Sequence, residues 1–586
     1  MTDDGYSPAG TTGDDSRSPW PAVLDVVALL VLSGFAFYLT LKAGRRGFYP
    51  FDQSILFDGS YRVLSGQVPY RDFVLPFGPM AFWLHALFFK VLGVSYLSYI
   101  VGAAVINVVA TLLSVIVVRL VLPSMRVLSY AGGLLTAVWF YPPFGTPWVD
   151  QTAFFFSFAA LAVLLAAITR DREDFRKSGL LIGLSGCLAF SSFISKQNVA
   201  AFMFPVYPLL LVTVGIYDRR RLLKGLGVFL VGIVASVGCF MLWLYLKSDP
   251  ATFVEYFFGV ASDLGMERLA GFTRSWFGLL RPFFGGRGEP VINLMILGSV
   301  IIALGSLVMA IRRARTTGRG QVTRRRLIAA ATCAYCVLFQ HVFVNTTLNQ
   351  PENALAFAGT SFAIAVGLLL GMTTEPGRPS ARAKGVRLAV ATEPGRLTAK
   401  AKGVRLAVAA IVVIVVALAS QKGIEVSMNR KVHDIFRGST FPRPVAVGGL
   451  KPLRWAEPTR MGGHEISAES IVRLYRYLKE QKQNFFIFPD LTLFYGLLDV
   501  PSPQPVLWFH RGVTYSSGAN ADLDRWIISE LERNNVTIFI LEQVSWFNTG
   551  ERWSDFPRMK AHVKSNFIRV DQIGTFSIYQ KKAAGS

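Results

Sequence analysis

The feature that most constrains this chain is a series of apolar runs, each close to the length a helix needs to cross a bilayer. A spanning helix takes about 20 mostly apolar residues, because it rises about 1.5 Å per residue through a hydrocarbon core roughly 30 Å thick. Eleven runs approach that length: Ala22–Leu41, Ser98–Leu120, Val127–Tyr141, Gln151–Thr169, Gly179–Ile194, Val199–Tyr217, Gly225–Leu246, Val291–Ile311, Leu327–Val344, Ala354–Met372 and Val404–Ser420. Hydrophobic residues make up 52% of the 586 and charged ones 17%, a balance too apolar for a water-soluble chain and a length too great for one domain. The predicted fold class is a polytopic α-helical membrane protein with about eleven spanning helices and a C-terminal α/β domain outside the membrane. The expected divisions are a disordered cytoplasmic tail over residues 1–20, a transmembrane domain over 21–420 with its first outer loop at 43–97, and an extracytoplasmic α/β domain over 421–586.

A net charge of +23 would suggest nucleic acid in a soluble protein. Here the basic residues cluster between apolar runs, at Arg170 to Lys177, Arg219 to Lys224, Arg312 to Arg326 and Arg378 to Arg405. That is the pattern of cytoplasmic loops, so membrane lipids are the expected partner and nucleic acid is not. With the N-terminus inside, the short outer loops near Pro142 and Thr346 carry no basic residue and the C-terminal domain falls outside. The expected location is therefore a bacterial inner membrane. Phe77 to Val94 is apolar but holds His85 and Lys90; counted as a span it would reverse every later loop, so it reads as a re-entrant or surface-lying segment.

The first twenty residues are polar, Gly-rich and Ser-rich, and lack the basic region and cleavage site of a signal peptide. Cys187, Cys239, Cys333 and Cys336 all lie in apolar runs; despite the spacing of the last two, they read as small buried thiols without chemistry. Glu375-Pro-Gly-Arg and the following Ala381 to Val390 recur as Glu393-Pro-Gly-Arg and Ala399 to Val408, a tandem duplication tolerated in a basic loop. After Ser420 helical spacing over Ser467 to Gln483, a strand at Asn484 to Phe488, a helix at Leu523 to Glu532, a strand at Val536 to Leu541, a helix at Lys560 to Asn566 and a hairpin at Ile568 to Gln580 predict a small α/β domain. It has no phosphate loop or nucleophile elbow, so its expected role is structural or substrate-guiding.

The first outer loop is the richest in candidates. Asp52 to Leu64 has the spacing of an amphipathic helix lying on the membrane surface, with Ile55, Leu56, Val63 and Leu64 inward and Gly66 as its stop. Asp52 would open it, either as a helix cap or as a carboxylate whose partial desolvation suits a general base. Asp150, entering the fourth span, is a second acid or a cap. Lys196, in Ser-Lys-Gln-Asn, is a cation in an outer turn against the charge bias; it could hold a phosphate or reach out to lipid headgroups. The outer loop Lys247 to Pro290 places Arg274, Arg281 and Arg287 among Phe and Trp, and Glu352 lies in a polar turn before the tenth span.

In order, Asp52, then Gly66-Gln-Val-Pro-Tyr-Arg-Asp-Phe and Gly78-Pro-Met, then Leu92-Gly-Val-Ser, then Asp150, then Ser195-Lys-Gln-Asn, make the chain resemble the GT-C superfamily of membrane glycosyltransferases. The resemblance is to the branch of protein O-mannosyltransferases and lipid A aminoarabinose transferases, and it is strongest over the first two hundred residues. It implies a sugar donor on polyprenyl phosphate, with Asp52 as the base of an inverting transfer, Asp150 positioning the acceptor or a divalent cation (Mg2+, Mn2+ or Zn2+), and Lys196 neutralising the departing phosphate. Asp58 and Asp72 are reserves for the base or acceptor-binding role, Asp72 ahead because its Tyr-Arg-Asp-Phe setting matches the related loops; Arg71, Gln197, Arg274 and Glu352 are further candidate substrate-binding positions, and the implied acceptor is a glycan, lipid or protein. Gln53 stands where related loops often carry a second acid, which leaves the metal open. The competing readings are a transporter or flippase of lipid-linked sugars, which would show inverted repeats and acids at the midplane, and a non-catalytic assembly subunit.

Overall fold

The structure is a computed structural model describing residues 20–583, apart from 170–174, 202–203, 205, 216–218, 261–289, 317–320, 348–354, 356, 373–398, 430–438, 458–459, 462–463, 516–520 and 544–548. Its membrane body runs α1 (Trp20–Gly44), α2 (Pro50–Leu64), α3 (Met80–Leu92), α4 (Tyr96–Val121), α5 (Arg126–Trp139), α6 (Val149–Thr169), α7 (Phe175–Phe193), α8 (Gln197–Ala201), α9 (Val206–Gly215), α10 (Arg219–Lys247), α11 (Pro250–Val254), α12 (Pro290–Thr316), α13 (Gln321–Thr347), α14 (Ala358–Met372) and α15 (Ala399–Asn429).

Ten of the eleven apolar runs each fall on a single helix, and Val199–Tyr217 is divided between α8 and α9; among the described residues six helices, α1, α4, α6, α10, α12 and α15, are long and apolar enough to cross a membrane. The others are shorter or more charged: α5 has 14 residues, α9 has 10 and α14 has 15, while α13 carries Arg324 to Arg326 near its start. A short helix is tolerated where protein rather than lipid covers its ends, and α5 is packed against α1, α4, α14 and α15. Its Gly133 accepts Leu32 and Val115 where a side chain would collide. Lipid tails are as apolar as leucine, so polar bonds hold such a bundle. Asn107 donates to the Thr40 hydroxyl and the Ala137 carbonyl, both at 2.9 Å, Ser114 meets Thr360 at 2.8 Å, and Arg119 grips Asp25 at 2.6 and 2.9 Å. Apolar side chains on α1, α10 and α15, such as Leu30, Tyr245 and Leu406, stay exposed on the outside of the bundle. At 13 residues α3 spans about 20 Å, too short to cross. The first copy of the duplication, with the start of the second, lies outside the described residues.

The C-terminal domain opens with two hairpins, β1 (Thr440–Pro444) with β2 (Arg454–Glu457) and β3 (Arg460–Met461) with β4 (His464–Glu465). There follow α16 (Ala468–Gln481), β5 (Phe485–Phe488), α17 (Leu493–Leu498), α18 (Ala521–Arg533), β6 (Ile538–Glu542), α19 (Thr549–Ser554), α20 (Pro557–Asn566), β7 (Phe567–Ile573) and β8 (Phe576–Lys581). The sheet order is β5-β6-β8-β7, with β5 and β6 parallel and the other pairs antiparallel. The fully apolar β5 is buried on both faces.

Two backbone stitches join this domain to the membrane body. Gly47 donates to the Arg454 carbonyl (2.9 Å) while Arg454 donates to that of Arg45 (2.6 Å); Val74 donates to Pro505 (2.8 Å) and Leu507 to Val74 (3.2 Å). The domain therefore sits directly on the first loop, and this corrects one expectation. Instead of lying on the membrane surface, α2 is buried from Pro50 to Arg62 save Asp52, which keeps partial exposure. Ile55 and Leu56 are interior as expected, but Leu64 is exposed, because α17 covers the face predicted to meet water. Gly496 packs on Phe57 and Tyr61, and the Tyr61 hydroxyl reaches Asp499 at 3.0 Å. Gly66, with φ +94°, ends the helix region in a conformation glycine adopts without strain.

Candidate active site

Helix α2 begins at Pro50, whose ring presets the first-turn φ. Its cap bond comes from Gln53, whose Oε1 accepts the Tyr49 N–H at 2.8 Å, so Asp52 on the first turn does not serve as the cap. Gln53 is spent on architecture: its Nε2 donates to the Phe144 carbonyl (3.4 Å) and its carbonyl accepts the Tyr99 hydroxyl (2.9 Å), which also reaches Pro147 (3.2 Å). These bonds draw the turn before α6 against α2.

Asp150, on the first turn of α6, is 3% exposed and ion-pairs with the ammonium of Lys196. The lysine arrives there because α7 is tied to α6. Ser192 meets Ser157 at 2.8 Å and donates to Ala153 at 2.8 Å, and Lys196 N–H donates to the Ser192 carbonyl at 3.1 Å. Gln197 fixes the turn from the other side, its Nε2 donating to Pro76 (2.8 Å) and Phe257 (3.0 Å). Gly78 lies on the Ile194 carbonyl so closely that a Cβ would collide, which explains the Gly-Pro-Met segment.

The Asp52 carboxyl is pushed up to about 7 by burial; Lys196 opposes this, and the carboxylates of Asp150 and Asp490 add to it. Asp490 comes from the C-terminal domain. It is locked bidentately to Arg552 at 2.8 and 2.8 Å, both buried, and Arg552 lies over the Phe51 ring at 5.6 Å. Glu542, raised by burial and then by Asp490, accepts the Asp490 and Leu491 N–H groups at 2.7 Å each. Trp508 and His510 lie 5.2 and 5.3 Å from Phe51.

The structure thus brings together Asp52, Asp150 and Lys196, with Gln197 beside them. It holds other candidates elsewhere. Asp58 is buried on α2, 3.9 Å from Arg62, and is pushed up to about 7 by burial against the pull of that guanidinium. Asp72 closes a turn, accepting the Val68 N–H at 2.7 Å and two bonds from Arg71 at 2.8 and 3.0 Å. Burial raises its carboxyl, but Arg71, the Val68 N–H and Arg62 together hold it below the usual range. Arg274, Arg281, Arg287 and Glu352 lie outside the described residues. The sequence reading missed Asp490, Trp508, His510 and Arg552. Their one local signal is the aromatic Leu-Trp-Phe-His-Arg stretch, which is equally at home in a core.

A divalent ion does not fit this donor set. Among the described residues no three His, Cys, Asp or Glu groups converge, Lys196 occupies Asp150, and Gln53 faces the backbone.

No protein-family model and no curated protein matches the chain. Among solved structures it is similar to ArnT. ArnT from Cupriavidus metallidurans bound to undecaprenyl phosphate matches at 12% identity and TM-score 0.48, covering 97% of this chain and 99% of that one. The apo form matches at 13% identity and TM-score 0.49, covering 96% and 98%. With identity this low, the chemistry rests on the site itself.

Proposed function

We propose that this chain is a GT-C-type membrane glycosyltransferase, moving a sugar from a polyprenyl-phosphate donor to an acceptor hydroxyl at the outer face of the inner membrane. The observation that carries this reading is the meeting of Asp52, near pH 7 in its titration, with the Asp150–Lys196 ion pair at the junction of the membrane body and the outer domain. In the step, the acceptor oxygen bonds to the anomeric carbon as the bond from that carbon to the lipid-phosphate oxygen breaks. The electron pair leaves on the phosphate, the configuration inverts, and Asp52 takes the acceptor proton. A base titrating near the working pH is matched to that task. Lys196 compensates the phosphate charge as it grows, and Asp150 holds the ammonium in place, so the compensation is organised before reaction.

The test is transfer from radiolabelled polyprenyl-phosphate sugars to endogenous membrane acceptors by wild type, Asp52→Asn and Asp150→Asn. Label moved by wild type alone supports both acids. Transfer by Asp52→Asn at the wild-type rate removes the base. Donor binding without transfer by any of them favours a flippase or assembly subunit.

A further inference from the structure

Phe51, which precedes Asp52 on α2, packs into an aromatic cluster to which the C-terminal domain contributes Trp508 and His510. Trp508 stands 4.6 Å from His510, 5.2 Å from Phe51 and 6.2 Å from both Phe77 and Trp148, measured between ring centroids. The Trp508 indole N–H is buried and finds no hydrogen-bond partner among the described residues. Buried tryptophan N–H groups normally find one, so this donor is waiting for an oxygen from outside the chain. Phe51 and Asp52 are successive residues of α2, the first packed on the Trp508 wall and the second facing Lys196 in its electrostatics. In an in-line transfer the acceptor and the departing phosphate lie on opposite sides of the anomeric carbon, which assigns Lys196 to the donor side and Trp508 to the acceptor side.

We infer that Trp508, with Phe51, Trp148 and His510, forms the acceptor subsite, and that its occupant is a neutral sugar ring of a glycan. This rests on the transferase reading above. A pyranose or furanose offers C–H groups to an aromatic face and hydroxyl oxygens to an N–H at the ring edge. An anionic headgroup is disfavoured on this side, because Arg552, the cation over Phe51, is already held bidentately by Asp490, and Glu542 adds further acid beside them. An extended peptide is disfavoured too, since the edge it would pair with is taken by the mutual bonds of Val74 with Pro505 and Leu507.

The experiment is saturation-transfer NMR on the full-length protein in nanodiscs, with neutral disaccharides of glucose, galactose, mannose and arabinose as probes, beside a Ser/Thr peptide and a phosphorylated sugar. Ring-proton saturation from at least one neutral disaccharide is expected with wild type and with Asp52→Asn. Trp508→Phe, which keeps the ring and deletes only the N–H, should weaken it about 3- to 10-fold, the range one neutral hydrogen bond carries, and Trp508→Ala should abolish it. No ring-proton saturation from any neutral disaccharide, a preference for the peptide or the phosphorylated sugar, or wild-type binding by Trp508→Phe overturns the assignment. Binding does not require turnover. Sugar binding that depends on Trp508 in a protein whose Asp52→Asn variant transfers normally would remove the base and leave the subsite standing.

Discussion

Asp52 shares the first turn of its helix with a proline and a buried aromatic, and its carboxyl is desolvated by both domains at once. Burial sets its titration near 7, with Lys196 pulling down and Asp150 and Asp490 pushing up. A base must be ionised, so kcat/KM is expected to rise with pH through about 7 and level off above it; pH profiles of wild type and Asp52→Asn check this. The variant should lose about 10²- to 10⁴-fold, the usual worth of a general base, and its residual rate should lack the rising limb; a limb that survives the substitution assigns it to another group. Lys196→Ala should lower kcat about 10²- to 10³-fold, as removal of a charge-stabilising donor does, while Lys196→Arg retains much of it. The candidacy of Asp52, Asp150 and Lys196 was legible in the sequence from their order and from a lysine set against the charge bias. That Gln53 ties down the Phe144 turn was not, since that bond depends on where Phe144 ends up.

At the scale of elements, glycine placement decides how closely the site's supports approach. Gly78 abuts the Ile194 carbonyl, and a backbone atom cannot swing aside as a side chain can. Gly78→Ala should therefore cost about 1–3 kcal/mol, the range for overpacking, and should displace the turn that carries Lys196; thermal unfolding in detergent with donor binding measures both. Gly34→Ala on α1, where nothing lies within 4 Å, is the control. It should be neutral or gain up to about 1 kcal/mol from helix propensity, and equal losses at the two glycines would defeat the packing argument. The helices of the membrane body were readable from apolar runs, and the elements of the C-terminal domain from their periodicities. The buried state of α2 was not, because amphipathic spacing says which face is apolar and not what will cover the other.

The whole molecule couples two bodies through charged groups at their seam. Asp58, on α2 where it meets the C-terminal domain, is pushed up to about 7, and Glu542 is raised as well, both chiefly by burial. Each is expected to titrate near its ordinary value of about 4 once unfolded. Between the unfolded and folded values the folded chain holds more protons, so stability is greatest at the acid end of that window and falls as pH rises through about 7. Unfolding midpoints taken across that range should show the decline, and Asp58→Asn should flatten part of it; a midpoint that climbs steadily to pH 8 would contradict the burial of these acids. What the sequence by itself determined were properties with a local cause: apolar lengths matched to a bilayer, basic residues clustered between apolar runs, and strand and helix periods in the tail. Only the tertiary structure decided that Val74 pairs with Pro505 and Leu507, that Arg552, held by Asp490, stands over Phe51, and that Trp508 packs on the same ring. Those meetings join residues from opposite ends of the chain, and the long-range packing that creates them leaves no period or spacing in the sequence.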